Sequence, residues 1–504
     1  MKTMKRWIGI LLIAGLLCGC FGFAHAEYVD DVPAFRISCS VNGDTRTRRG
    51  LCWYTKTEVP TEVRVLLNGT DVTDRVTFKD VESTMWEGYC MHKVVLAGLG
   101  PGKTYTYRLA GDNGEYVEGT FTTDNDDDAV DFMAIADVQA SSLENFLKGA
   151  RTVKKGLDIA DNTDFVVNLG DFTNDSTNEE WNFNAEAFDA IHSGVTLAPV
   201  AGNHDGLGVW NWFNNLFALD TSESVQTLNG VNYSFDYGNV HVAVVNTNDL
   251  ASVTLAQMIW LKKDLDNTGK DWKIVCMHKS PYTLDKDGKW MDATFLRVSL
   301  VPLMSLCDVD LVLSGHDHQY LRTKSLKNGR TVPDGEGTTY VLCGTAGTKR
   351  YEIRDFLLGH FLRKDQIAAM TVQKGGTNDL GEYNTCYLKD GSFDNVDLNR
   401  IGGVFNRISV NGGSLQFTSY VLKDLEEGET EDVLTEIDSF ELTKETGQNE
   451  GVCDCTNSTS KLGYVISLIP SALAFAAYTF GDWLPRFLIM LPKLIYTVVT
   501  KDVF

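Results

Sequence analysis

Asp131-Phe132-Met133-Ala134-Ile135-Ala136-Asp137 is the first of five apolar runs that each stop at a metal-binding side chain. The others are Phe165-Val166-Val167-Asn168-Leu169-Gly170 ending at Asp171, Leu197-Ala198-Pro199-Val200-Ala201-Gly202 ending at Asn203 and His204, Trp272-Lys273-Ile274-Val275-Cys276-Met277 ending at His278, and Leu311-Val312-Leu313-Ser314-Gly315 ending at His316 and His318. Short runs of this kind, rich in branched residues and separated by longer helical segments, predict buried strands of an α/β sheet. Such sheets place ligands at the carboxyl ends of their strands, so the clusters are expected to converge. Asp137, Asp171, Asn203, His278, His316 and His318 supply carboxylate, amide and imidazole donors, a set suited to two divalent first-row metals sharing one carboxylate. A lone Gly-Asp is a turn, and a lone buried histidine is usually a satisfied core residue. All of them in order, each closing a strand, are not explained by packing, because carboxylates and imidazoles buried at one spot need cations.

Outward from this stretch, Leu143 to Ile159 and Glu179 to Ile191 carry apolar residues at helical spacing and predict helices packed on the sheet. After Gly347 a long polar, Gly-rich segment containing His360 runs to about Arg400, as lids and inserts do. Val404–Val410 and Ser414–Thr418 then predict a closing hairpin. Upstream, residues 27–124 read as all-β, with strand candidates at 35–41, 50–55, 62–67, 92–96, 105–109 and 119–123 separated by Gly, Pro, Asn and Asp. That number suits a sandwich, expected here to take no part in the chemistry. The acidic run Asp124, Asp126, Asp127 and Asp128 predicts a solvated linker. The fold class is therefore an all-β sandwich followed by α/β, with a catalytic region over 125–424.

A chain of 504 residues exceeds one compact core, which leaves room for appendages. Lys2, Lys5 and Arg6, the apolar run Trp7 to Leu17 and Ala24-His25-Ala26 predict a secretory signal over residues 1–26, cut after Ala26. The alternatives are an uncut anchor or lipid attachment at Cys20. Residues 425–461 read as an acidic linker, and 462–504 as a hydrophobic, membrane-associated tail. Leu462–Phe480 is uncharged and just long enough to span a bilayer, and Arg486, Lys493 and Lys501 follow it as the positive-inside rule requires of an exported body. The competing reading of the tail is a helical hairpin docked on the body, which Pro470 favours. The formal net charge of −23 repels nucleic acid, and beyond Arg46, Arg48 and Arg49 no basic cluster offsets it, so no nucleic-acid partner is expected. Of eleven cysteines, Cys18 and Cys20 fall in the leader and leave an odd number behind. Cys276, Cys307 and Cys343 sit in apolar runs as core residues, one bridge among Cys39, Cys52 and Cys90 is open, and Cys453 with Cys455 form a pair or a redox couple.

Asp137-Val138-Gln139, Gly170-Asp171-Phe172-Thr173-Asn174-Asp175, Gly202-Asn203-His204-Asp205, His278 and Gly315-His316-Asp317-His318 together resemble the five signatures of the calcineurin-like metallophosphoesterases. With Leu99 to Arg108, which resembles the closing strands of a fibronectin type III domain, the likeness extends to bacterial purple acid phosphatase-like proteins over roughly residues 30–420. It implies a metallophosphoesterase-type layered β-sheet core flanked by helices, and two divalent or mixed-valence ions of iron, zinc or manganese. Asp171 would bridge them, Asp137 and His318 would bind the first, and Asn203, His278 and His316 the second. His204 would face the phosphate.

The chain departs from that family twice. Asn174 stands where purple acid phosphatases carry a metal-binding tyrosine, so no purple charge-transfer colour is expected. Gln139 stands where other members carry a histidine, which makes the first site rich in oxygen. The partner of His204 is open between Asn174 and Asp175, with Asp205 a further supporting residue. The resemblance implies hydrolysis of a small phosphomonoester by metal-bound hydroxide, with His204 as proton donor or charge stabiliser. The alternatives are a phosphodiesterase or nucleotidase, or a catalytically degenerate cell-surface binding protein.

Overall fold

A computed structural model describes residues 27–446 apart from 161, 207–211, 226–229, 249–254, 284–289, 350–365, 371–400 and 426–429. The signal, His360, Cys386, Cys453, Cys455 and the apolar tail lie outside the described residues. The N-terminal part forms β1 (Phe35–Ser40), β2 (Arg48–Thr55), β3 (Val63–Leu67), β4 (Thr70–Asp71), β5 (Thr77–Trp86), β6 (Tyr89–Ala97), β7 (Thr104–Ala110) and β8 (Tyr116–Thr122). The remainder forms β9 (Ala129–Ile135), β10 (Phe165–Asn168), β11 (Leu197–Pro199), β12 (Tyr233–Tyr237), β13 (Val240–Val245), β14 (Trp272–Met277), β15 (Leu311–Ser314), β16 (Tyr320–Thr323), β17 (Leu326–Lys327), β18 (Arg330–Thr331), β19 (Thr339–Cys343), β20 (Ile367–Met370), β21 (Ile401–Asn411), β22 (Ser414–Lys423) and β23 (Leu434–Thr443).

Two large sheets form the body, one ordered β23-β22-β21-β9-β10-β11-β1-β2-β6-β5 and the other β12-β13-β14-β15-β19-β16-β20. Strand periodicity explains how they stack. On β9, Val130, Phe132 and Ala134 face the second sheet and meet Val240, Val242 and Val244 of β13, while Met133 and Ile135 face outward onto Phe146, Val153 and Phe188 of helices Leu143–Asp158 and Asn178–His192. The outer face of the second sheet is covered by helices Leu255–Asn267, Trp290–Ser299 and Val301–Leu306. Strands buried on both faces read as continuous apolar runs, which is why the sequence exposed them.

The sandwich has its own core, where Trp53, Leu96, Tyr107 and Phe121 pack between the β2–β6 side and the four-stranded sheet β4-β3-β7-β8. It is nevertheless continuous with the α/β part, because β1 pairs in parallel with β11 through Ser40 and Leu197, and Val41 N donates to Leu197 O at 2.9 Å. Arg36 reaches further: buried, with φ of 49°, its guanidinium bonds Asn178 and Asn182 and lies 5.0–5.5 Å from the rings of Phe35, Tyr54, Tyr89 and Trp212.

Three expectations are corrected. Residues 434–443, assigned to an acidic linker, form the edge strand β23, which buries Phe440 and Leu442 in alternation and Ile437 at a register shift in its pairing with β22. Asp438 on that strand is buried too and receives both Arg322 nitrogens, at 2.6 and 2.9 Å, and the Tyr320 hydroxyl at 2.8 Å. Asp124 is not a solvated linker residue but a buried acceptor for Thr45 Oγ1 and for the backbone of Asp126 and Gly238. Cys39, Cys52 and Cys90 are free buried thiols. Among the described residues no helix is long and apolar enough to cross a membrane.

Candidate metal centre

The five runs are β9, β10, β11, β14 and β15, and their carboxyl ends meet where the two sheets face each other. The chain leaves these strands through strained turns. Asp137, Gln139, Asp171, His316 and His318 have φ of 53°, 37°, 56°, 75° and 54°, a region that costs a non-glycine residue roughly 1–3 kcal/mol. Glycines make room beside them: a Cβ on Gly170, at φ 97°, would stand 2.6 Å from Gly202 N, and one on Gly202 would stand 2.0 Å from Asp171 N. Strain of this kind persists where surrounding structure fixes it. Here buried hydrogen bonds do so, because Asp205 accepts from the main chains of Asp171, Phe172 and Gly202 at 2.9, 2.8 and 2.7 Å, and Asp137 accepts from His316 N with both oxygens at 3.0 and 2.9 Å.

Two groups of ligand atoms result, Asp171 with His278 and His316, and Asp137 with Asp171 and His318, each within 4.8 Å and both including Asp171. His278 Nε2 lies 3.2 Å from Asp171 Oδ2, 3.0 Å from Asn203 Oδ1 and 3.2 Å from His316 Nδ1. His318 Nε2 lies 3.6 Å from Asp137 Oδ1. Main-chain carbonyls orient the rings: His278 Nδ1 donates to Leu169 O at 2.8 Å and His318 Nδ1 to Lys349 O at 3.0 Å, which turns Nε2 of each toward the cluster.

Electrostatics agree with the donor chemistry. Burial lowers the affinity of His278 for a proton, but Asp171 and then Asp137 outweigh it and raise the imidazole to about 9. Burial would raise Asp171, yet His278 and His204 hold it far below the usual carboxylate range. Burial, with Asp171 beside it, raises Asp205 to about 7. The pocket thus stabilises positive charge in a dry interior. Two imidazole nitrogens 3.2 Å apart, with an amide oxygen and a carboxylate turned on the same space, fit cations better than they fit one another. The buried Gln139 carboxamide makes no hydrogen bond among the described residues, as a site open to an ion leaves it.

Asn203 and His204 stand half-buried at the mouth. His204 belongs to neither group; its main-chain N donates to Asp171 Oδ1 at 2.9 Å, and its Nδ1 bonds the main-chain oxygen of Asn174. The partner left open between Asn174 and Asp175 is thus a carbonyl, which carries no side-chain signal. Asn174 and Asp175 line a groove of about 520 Å³ with Asn203, His204 and Trp212 rather than joining the ligand groups. A capping box holds that wall: Thr177 Oγ1 accepts from Glu180 N at 3.1 Å, and Glu180 Oε2 accepts from Thr177 N and Asp175 N at 3.2 and 2.8 Å. The sequence did not point to Lys349, whose Nζ lies 3.3 Å from Asn174 Oδ1, nor to Glu87 of the sandwich and Trp212, which line the groove.

Residues 130–320 match the model of the calcineurin-like phosphoesterase family, over the stretch that holds these strand ends. They form a calcineurin-like phosphoesterase domain. The domain is similar to an uncharacterized protein of Mycobacterium tuberculosis, 28% identical over 187 residues that cover 30% of this chain and 35% of the relative. The chain is similar as well to purple acid phosphatase 18 of Arabidopsis thaliana, 24% identical over 277 residues covering 53% and 60% of the two chains. This chain therefore spans between about a third and three-fifths of the curated relatives it matches. A solved structure described as that of PhoD shares the fold, with a TM-score of 0.54 at 12% identity over 89% of this chain and 99% of that one.

Proposed function

We propose that this chain hydrolyses phosphomonoesters, with His204 protonating the leaving alcohol. The observation that carries the reading is the pair of ligand groups sharing Asp171, with a non-ligating histidine beside them at the mouth of a groove. Bound metal ions would supply Lewis acidity and a nucleophile at neutral pH. Asp171 would bridge the pair, with Asp137, His318 and the Gln139 oxygen on one side and Asn203, His278 and His316 on the other. The Asn174 carbonyl fixes His204 through Nδ1, so its other nitrogen is the one that can meet substrate. As the phosphorus–oxygen ester bond breaks, the Nε2 proton passes to the departing oxygen, and water supplies the oxygen gained by phosphorus. A screen of purified protein against mono- and diesters tests this. Faster turnover of monoesters is the expected result, and faster turnover of diesters contradicts it.

We propose further that the chain is exported and tethered by residues 462–504, on the strength of the basic and apolar leader, the uncharged Leu462–Phe480 run and the basic residues after it. Fractionation of cells tests this: activity in the membrane fraction that resists high salt is expected, and release by salt contradicts a spanning tail.

A further inference from the structure

The groove beside His204 has an acidic lining. At its inner end stand Asn203 and His204, and Lys349, outside the lining, has its Nζ 3.3 Å from Asn174 Oδ1. The same Asn174 amide donates to Asp175 Oδ2 at 2.8 Å, so one side chain lies between a cation and a carboxylate. Outward the lining is Asp175, Ser176, Thr177, Asn178 and Glu87. No lysine or arginine lines the groove among the described residues. Behind the wall, Arg36 bonds Asn178, and Glu180 bonds the main chains of Asp175 and Thr177.

Glu87 is held in place. Asn178 Nδ2 donates to its carbonyl at 3.2 Å, its φ is 49°, and Trp86 before it packs edge-on against Trp212 at 5.9 Å. Tyr89 after it accepts from Asn182 Nδ2 at 3.2 Å. The sandwich therefore contributes an acidic residue to the groove lining, from a turn bonded to the phosphoesterase domain. Trp212 already carries the Arg36 guanidinium 5.0 Å from its ring centroid, which leaves hydrogen-bonding oxygens rather than an aromatic cage to receive a cation.

We propose that the groove selects phosphomonoesters whose leaving alcohol bears a primary ammonium, with Glu87 and Asp175 receiving the ammonium while the phosphate faces the metal centre. This rests on the phosphomonoester reading above. A cationic leaving group is attracted by the two acidic residues of the lining, whereas an anionic one is repelled by them.

The test compares kcat/KM for O-phosphoethanolamine, propyl phosphate and phosphoglycolate in the wild-type protein and in Glu87→Gln and Glu87→Lys. Intrinsic differences between leaving groups cancel when the cationic-to-neutral ratio is compared between variants. The ratio is expected to fall by about threefold to tenfold in Glu87→Gln, as for loss of one partly exposed charge contact. In Glu87→Lys it should fall further while phosphoglycolate gains. A ratio unchanged in both variants overturns the proposal. Hydrolysis of all three esters with a flat ratio overturns it and leaves the phosphomonoester reading standing, while no hydrolysis of any ester, aryl phosphates included, overturns both.

Discussion

Two buried histidines occupy opposite ends of the second sheet. His278 follows the carboxyl end of β14, and His241 sits near the amino end of β13. Each meets two aspartates, and in each burial lowers the imidazole while those aspartates raise it to about 9. The resemblance ends there. His241 donates to Asp236 at 2.7 Å and Asp264 at 2.8 Å, and Asp264 also receives Ser234 Oγ at 2.6 Å, so the triad is closed, on backbone of ordinary φ. His278 faces the amide oxygen of Asn203 and a second imidazole as well as Asp171, among strained turns. A perturbed proton affinity is common to both, so convergence of donors and backbone strain are what mark the functional end.

Asp171→Ala should break the functional end most severely. It removes the carboxylate common to both groups, so both ions should be lost together and turnover should fall by more than about 10⁴, beyond the contribution of one positioned acid. His318→Ala should weaken mainly the first site. Elemental analysis beside kinetics checks both, and loss of only one ion from Asp171→Ala would separate the two groups.

His204→Ala should retain both metals and lose roughly 10²–10⁴ in turnover. The loss should be smaller for an aryl phosphate, whose leaving group needs little protonation, than for an alkyl phosphate. Equal losses on the two substrates would assign His204 to charge stabilisation alone, and loss of metal would make it a ligand.

His241→Gln should cost about 1–3 kcal/mol of stability near neutral pH and leave metal content intact. Its folded pKa is raised above the unfolded value, so its contribution is complete below about 6.5 and is lost as pH rises through about 9. Wild-type Tm should therefore decline across that window more steeply than the variant's. Parallel pH profiles would show that the triad gives no net stabilisation.

The functional end was legible because its donors recur at the ends of five strands buried on both faces. Glu87 and Lys349 were not, since only tertiary packing brings a sandwich turn to the groove and the segment after β19 to Asn174 on its wall. Strand β5 lacked a signal because it is exposed over most of its length, with only Phe78 and Trp86 partly buried. In β23, acidic residues and a register shift that puts Ile437 out of phase with Phe440 and Leu442 masked the strand, and the burial of Asp438 depends on Arg322, more than a hundred residues away. The join of β1 to β11 rests on backbone pairing, to which side-chain patterns are blind.

The strand ends are expected to hold two cations through one shared aspartate. Metal content of the purified full chain, measured by elemental analysis on the same sample assayed for phosphoester hydrolysis, tests it most directly. Close to two ions per chain, retained in His204→Ala and lost in Asp171→Ala, is the predicted result. A reproducible value of one ion or none in the active protein would contradict it.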